Sequence, residues 1–176
     1  MTEDAVPPSS ASSQPPALHG TCLARRDRCV LLRGASGSGK SDLALRFLDR
    51  FADAWLIADD RVLLEARDGA LYPAAPAPLH GLLEVRGLGL VRRAVPPRDA
   101  VPPLALIVDL DTPDAIARIA EPRTDSLHGV TLPLVALAPF EGSAPLKLAL
   151  ALETIGVAPG AGPVLSGFAG DDGLLG

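Results

Sequence analysis

No apolar run in this sequence approaches the roughly 20 residues that a membrane-spanning helix needs. The longest, "LALALE" and "LPLVALAPF", are cut short by a carboxylate or by proline. The opening stretch "MTEDAVPPSSASSQPPA" has neither a basic segment nor an apolar core, so no secretory signal is expected, and the expectation is a cytoplasmic protein without a membrane partner. Positive charge is also in short supply: 16 Lys and Arg stand against 21 Asp and Glu, a formal net charge of −5. A nucleic-acid-binding surface calls for a basic face, so no nucleic-acid partner is expected, and "LARRDR" and "VRRAVPPR" read as solvated turns. Cysteine is limited to Cys22 and Cys29, with no metal-ligand spacing around them. A hairpin turning at Arg25-Arg26 would set the two opposite each other on adjacent strands. In a reducing compartment they are expected as free thiols acting as small buried apolar residues. The sequence shows no internal repeat.

What is present suits one globular core: 48% of residues are hydrophobic and 21% charged over a length of 176. Residues 1–17 carry Pro, Ser and Ala without periodicity and read as a disordered tail. Residues 157–176 are rich in Gly and Pro and read as a flexible tail, leaving a folded unit over 18–156. Within it, strands are expected over 19–24 and 28–33, then a helix over 40–51 in which Leu43, Phe47 and Leu48 recur at helical spacing. "AWLIADDRVLLEA" reads as a buried strand ending at Asp59-Asp60 with a second strand from Arg61, and "GALYPAAPAP" as a linker. "LALIVDL" suits the centre of a sheet covered on both faces. "TPDAIARIA" has a threonine cap and an early proline, a helix start, and "SAPLKLALALETI" a helix opened by a serine cap. "GVTLPLVALAPF" is a strand pair or a strand broken by proline. The class is α/β.

The most informative stretch is Gly34-Ala35-Ser36-Gly37-Ser38-Gly39-Lys40-Ser41, which fits G-x-x-x-x-G-K-[ST] at every fixed position. The glycines let successive N–H groups curl inward on phosphate oxygens, and the following helix adds the positive end of its dipole. Lys40 can reach the terminal phosphates, and the Ser41 hydroxyl can hold Mg²⁺. An apolar strand, "CVLLR", precedes the loop and an amphipathic helix follows, the setting this motif requires. Nucleotide binding is the expectation. A metal-holding carboxylate is then needed at the end of a neighbouring strand, and "LIADD" supplies Asp59 and Asp60. On an extended segment the two would point to opposite sides, one toward the metal and the other toward a substrate hydroxyl. In "LLEVRGLGLV", Glu84 and Arg86 alternate and would share a face, the one suited to a metal and the other to phosphate charge. On pattern alone an exposed Glu–x–Arg is commonplace. His19, ahead of Gly20, has a side chain whose ordinary pKa permits a base role, and His80 and His128 sit in loop-like surroundings.

Taken together, "LHGTCL", "GASGSGKSDLAL", "LIADDRVLL" and "LLEVRGLGLV", with looser matches in "AIARIA" and "LAPFEGSAPLKLALALE", resemble the catalytic domain of HPr kinase/phosphorylase. That bacterial enzyme phosphorylates a serine of the phosphocarrier protein HPr. The segments occur in the family's order over about residues 18–153. The resemblance implies a P-loop kinase domain of the HPr kinase/PEP carboxykinase-like type, a mixed β-sheet flanked by helices, using ATP and Mg²⁺ with an HPr-type protein as partner. It implies His19 as an active-site histidine, Lys40 and Ser41 as P-loop lysine and magnesium ligand, and Asp60 as the carboxylate that exchanges a proton with the serine. It further implies Asp59 beside the metal, Glu84 as a magnesium ligand and Arg118 as an additional active-site arginine. Compared with long members, the chain corresponds to the catalytic half alone, as in short forms of some proteobacteria. Residues 138–145 carry no Arg or Lys where long members have a basic loop linked to phosphorylase activity. The resemblance leaves homo-oligomer formation open. Two other readings fit the same cradle: a small-molecule kinase or NTPase, and a nucleotide-sensing module without transfer.

Overall fold

The computed structural model describes residues 17–119 and 121–155. The tails expected at 1–17 and 157–176 lie outside the described residues, save for Ala17. The strands are β1 (Leu18–His19), β2 (Thr21–Arg25), β3 (Arg28–Arg33), β4 (Ala54–Ala58), β5 (Arg61–Arg67), β6 (Ala70–Ala74), β7 (Leu82–Val85), β8 (Gly89–Arg92), β9 (Leu104–Leu110), β10 (Arg123–Leu127) and β11 (Val130–Leu137). The helices are α1 (Lys40–Arg50) and α2 (Ala144–Thr154). Among the described residues no helix is long and apolar enough to cross a membrane.

A six-stranded sheet runs in the order β10-β11-β9-β3-β2-β4. β3, β9 and β11 pair in parallel, and β4, antiparallel to β2 as β3 is, points the same way. The C-terminal ends of these four strands therefore share one edge, where ligands of α/β folds collect. Side chains alternate across the strands, so one face receives Leu23, Val30, Leu32, Leu106 and Val108 and packs on Leu43 and Phe47 of α1 and Leu148 and Leu152 of α2. The other face receives Cys22, Cys29, Leu31 and Ile107 and packs on Val62, Leu64 and Leu71. These last come from β5 and β6, which form a small second sheet with β1. The mixed sheet is thus covered by helices on one side and by a sheet on the other. Burial on both faces is why β3 and β9 read as unbroken apolar runs.

Four expectations need correction. "GALYPAAPAP" contains strand β6, with Pro73 buried at the outer edge of its sheet, where a missing N–H costs no ladder bond. The helix expected in "TPDAIARIA" is a single 3-10 turn, Pro113–Ala115. Helix α2 forms as expected, but Ser143 contributes no side-chain cap; the Glu141 carbonyl takes the Ala144 N–H instead. Cys22 pairs with Leu31 and Cys29 with Ala24, so the two cysteines are diagonal neighbours rather than opposite. Both are free and buried as expected, and burial, reinforced by Cys22, pushes the Cys29 thiol well up.

At the end of β3, the Arg33 guanidinium bridges Asp109 of β9 (2.8 Å) and Asp125 of β10 (2.6 Å), tying the sheet's centre to its edge. Arg33, with help from the Ser126 N–H, holds the Asp125 carboxyl below its ordinary value. A depressed folded-state pKa gives stability that is present above the unfolded carboxylate value and lost as pH falls through the folded one. Thermal melts of wild type and Asp125→Asn should therefore differ at pH 6 and converge as pH is lowered below about 3.9, the ordinary Asp value. A constant difference at every pH would remove this ion pair from the account of acid stability.

Candidate active site

The strand β3 ends at Arg33 and the chain enters a loop in which Gly37 and Gly39 lie at φ 81° and 92°, backbone that a side chain would strain. Lys40 opens α1, is only 6% exposed, and donates from Nζ to the carbonyls of Gly34 (2.9 Å) and Ala35 (2.8 Å). Burial pushes its pKa down, while the charges of Asp59 and Asp60 pull the other way. The Ser38 hydroxyl is turned inward beneath the loop and has no hydrogen-bond partner.

Asp59, just past β4 and 5% exposed, is the hub of the arrangement. Its carboxylate accepts from the Thr21 hydroxyl (2.6 Å), the Ser41 hydroxyl (3.1 Å) and the Glu84 backbone N–H (3.0 Å). One side chain thus ties β2, α1 and β7 together. Thr21 was not visible as a site residue in the sequence, because a threonine in a strand reads as an ordinary β-former.

The two aspartates do not point to opposite sides; both line the same cleft. The reason is local. The Arg61 N–H closes onto the Asp59 carbonyl (2.8 Å), making a three-residue turn with Asp60 at its centre and φ 64°. That is the rarer, strained hand of the γ-turn, and it swings Asp60 off the strand. The Asp60 carbonyl accepts from the Gly20 N–H (3.2 Å), and His19 Nδ1 stands 3.1 Å from that carbonyl and 3.2 Å from Asp60 Oδ1.

These groups open on a cleft of about 360 Å³ whose lining includes His19, Ser36, Gly37, Gly39, Lys40, Ser41, Asp59, Asp60, Glu84 and Arg86. Glu84 and Arg86 both reach it, although not as neighbours on one strand face: β7 ends at Val85 and Arg86 belongs to the turn. Gly34, Ala35 and Ser38 form the loop without lining the cleft. Arg118 is not brought to the cleft; it is exposed on the loop after the 3-10 turn. Phe140, unmarked in the sequence, is at the rim.

The Ser41 hydroxyl and the Asp59 and Glu84 carboxylates are hard oxygen donors in one cleft, the set that suits Mg²⁺. Among the described residues no group of three or more His, Cys, Asp and Glu forms a self-sufficient metal cage. Few protein ligands, completed by phosphate oxygens, are what nucleotide-borne Mg²⁺ uses.

Strand, glycine-rich loop, helix-opening Lys-Ser and a buried partner aspartate define the class: an α/β domain of P-loop architecture. Residues 11–94 match the HPr serine kinase C-terminal domain family. It is 37% identical over 132 residues to HPr kinase/phosphorylase of Limosilactobacillus reuteri, an alignment covering 68% of this chain and 40% of that protein. It is 39% identical over 74 residues to the protein of that name from Clostridium botulinum, covering 42% of this chain and 24% of that one. The alignments thus span well under half the length of these curated relatives. In fold it is similar to the Hpr(Ser) kinase/phosphatase from Coxiella burnetii, with a TM-score of 0.65 and 24% identity over 78% of this chain and 93% of that one.

Proposed function

We propose that this chain is the catalytic domain of a cytoplasmic serine protein kinase that moves the terminal phosphoryl group of ATP to a serine of an HPr-type phosphocarrier protein. The observation that carries the reading is Asp60, held on a strained γ-turn in the same cleft as the phosphate loop and against His19. Such strain persists only where the surroundings enforce it, and it puts one carboxylate within reach of an entering hydroxyl. The family and its relatives' names supply the acceptor.

In this reading the loop Gly34–Ser41 holds the phosphates through its backbone N–H groups, and Lys40 neutralises charge on the transferred group. Mg²⁺ carried by the nucleotide supplies further charge neutralisation, with Ser41, Asp59 and Glu84 as its protein ligands. Asp60 accepts the serine proton as the serine oxygen bonds to phosphorus and the bond to the nucleoside diphosphate breaks in line. His19, against Asp60, fixes the carboxylate's orientation, and Arg86 in the cleft lining adds positive charge. Transfer of this kind is mostly positioning and electrostatics, which a small domain can provide. Relatives carry both kinase and phosphorylase names, but residues 138–145 have no Arg or Lys, so the residues favour the forward direction.

The test is incubation with ATP, Mg²⁺ and an HPr protein, read by intact mass and peptide mapping. Phosphoserine on HPr is expected, and none with Lys40→Ala. Absence of phosphate on HPr, in a preparation shown to bind ATP, would move the reading to another acceptor or to a binding module.

A further inference from the structure

Of the aromatic side chains in the described residues, Phe47 is buried, Phe51 packs against it, and Tyr72 lies beneath Arg67. Trp55 sits on the edge strand β4. Phe140 differs from all of them: it is 70% exposed, and it is the aromatic side chain of the cleft lining. It stands against the phosphate loop itself, since a methyl group placed on Gly39 would come within 2.9 Å of its Cζ and 3.1 Å of Pro139 Cβ.

The backbone that presents this ring is fixed from both sides. Arg46 of α1 donates to the carbonyls of Pro139 and Glu141, the residues flanking Phe140, and is itself anchored by Asp42 at 2.7 Å. The Glu141 carboxylate is held by Lys147 of α2. Pro139 is buried. A large apolar surface left in water yet held on a tethered backbone has the form of a platform: its ordering cost is already met, and covering it is favourable. The polar side chains around it, Arg46, Asp42, Glu141 and Lys147, are engaged with one another or with carbonyls, which leaves the ring's face as the feature offered to a ligand.

We infer that Phe140 is the stacking platform for the base of the nucleotide whose phosphates occupy the loop Gly34–Ser41. This rests on the nucleotide reading given above and adds the base subsite to it. Stacking on one aromatic face reads the presence of a base rather than its edge pattern.

The experiment compares binding of ATP and of inorganic tripolyphosphate, each with Mg²⁺, to wild type, Phe140→Ala and Phe140→Trp by calorimetry. Phe140→Ala is expected to weaken ATP about tenfold, the scale of one base–aromatic stack, and to leave tripolyphosphate within about twofold. Phe140→Trp is expected to keep ATP affinity. Equal weakening of both ligands would mean the ring only buttresses Gly39, and unchanged ATP affinity would mean the base lies elsewhere; either overturns the assignment. Loss of ATP transfer to protein with both affinities intact would assign the ring to the acceptor and overturn it too. A wild-type protein that binds neither ligand would instead overturn the nucleotide reading, which separates the two failures.

Discussion

Asp60→Asn is expected to lower phosphoryl transfer by about 10²- to 10⁴-fold, the range that one positioned general base supplies. ATP affinity should change by less than about threefold, since binding rests on the loop and Lys40 rather than on this carboxylate. The choice of asparagine follows from the backbone. At φ 64° most residues are strained, whereas Asn tolerates the left-handed region as Asp does, so the γ-turn and its bonds to Gly20 and Arg61 survive. Asp60→Ala would confound lost chemistry with a shifted turn. Rate and ATP affinity measured on the Asn variant decide the matter: transfer near the wild-type rate would remove Asp60 from the chemistry.

Asp59 calls for the opposite pair of variants, because its carboxylate serves the fold as well as the site. Asp59→Ala leaves the Thr21 hydroxyl, wholly buried, and the Glu84 N–H without an acceptor. An orphaned buried donor costs about 1–3 kcal/mol. The melting temperature should fall by roughly 5–10 °C on the scaling for a domain of this size. Asp59→Asn keeps one oxygen for the Glu84 N–H and can donate to a rotated Thr21 hydroxyl, so its stability should stay within about 1 kcal/mol of wild type. Without the negative charge, it should nevertheless lose the tightening of ATP binding by Mg²⁺. Melts and ATP titrations with and without Mg²⁺ separate the two roles. An Asn variant with full Mg²⁺ dependence would leave Ser41 and Glu84 as the relevant ligands.

Much of this site could be read before any coordinates. The loop from Gly34 to Ser41 announces itself because its function needs particular residue types at particular spacings, and the flanking strand and helix obey ordinary periodicity. Asp59-Asp60 is marked by two charges ending an apolar run. What could not be read was their direction, since the γ-turn is set by contacts from Gly20 and His19, forty positions away in the chain. Thr21 was hidden for a similar reason: its partner, not its type, makes it special. The missing helix after Thr112 shows the limit of local signals. Threonine and proline do begin a helical turn there, but Ile119 is 84% exposed and the segment buries no apolar face. Without such a face a short helix is not sustained. Strand β6 errs in the other direction, its proline and those just beyond it masking a segment whose alternate residues Leu71 and Pro73 are buried.

The lining of the cleft has an uneven source. Every residue named there except Phe140 lies between His19 and Arg86, inside the stretch that the family match covers. Apart from the segment that presents Phe140, the later strands and α2 give that stretch a surface to fold against. The two portions of the chain therefore answer to different physical demands. The first is held to particular atoms at particular places; the second, away from Phe140 and the residues that tether it, is held to volume and apolarity.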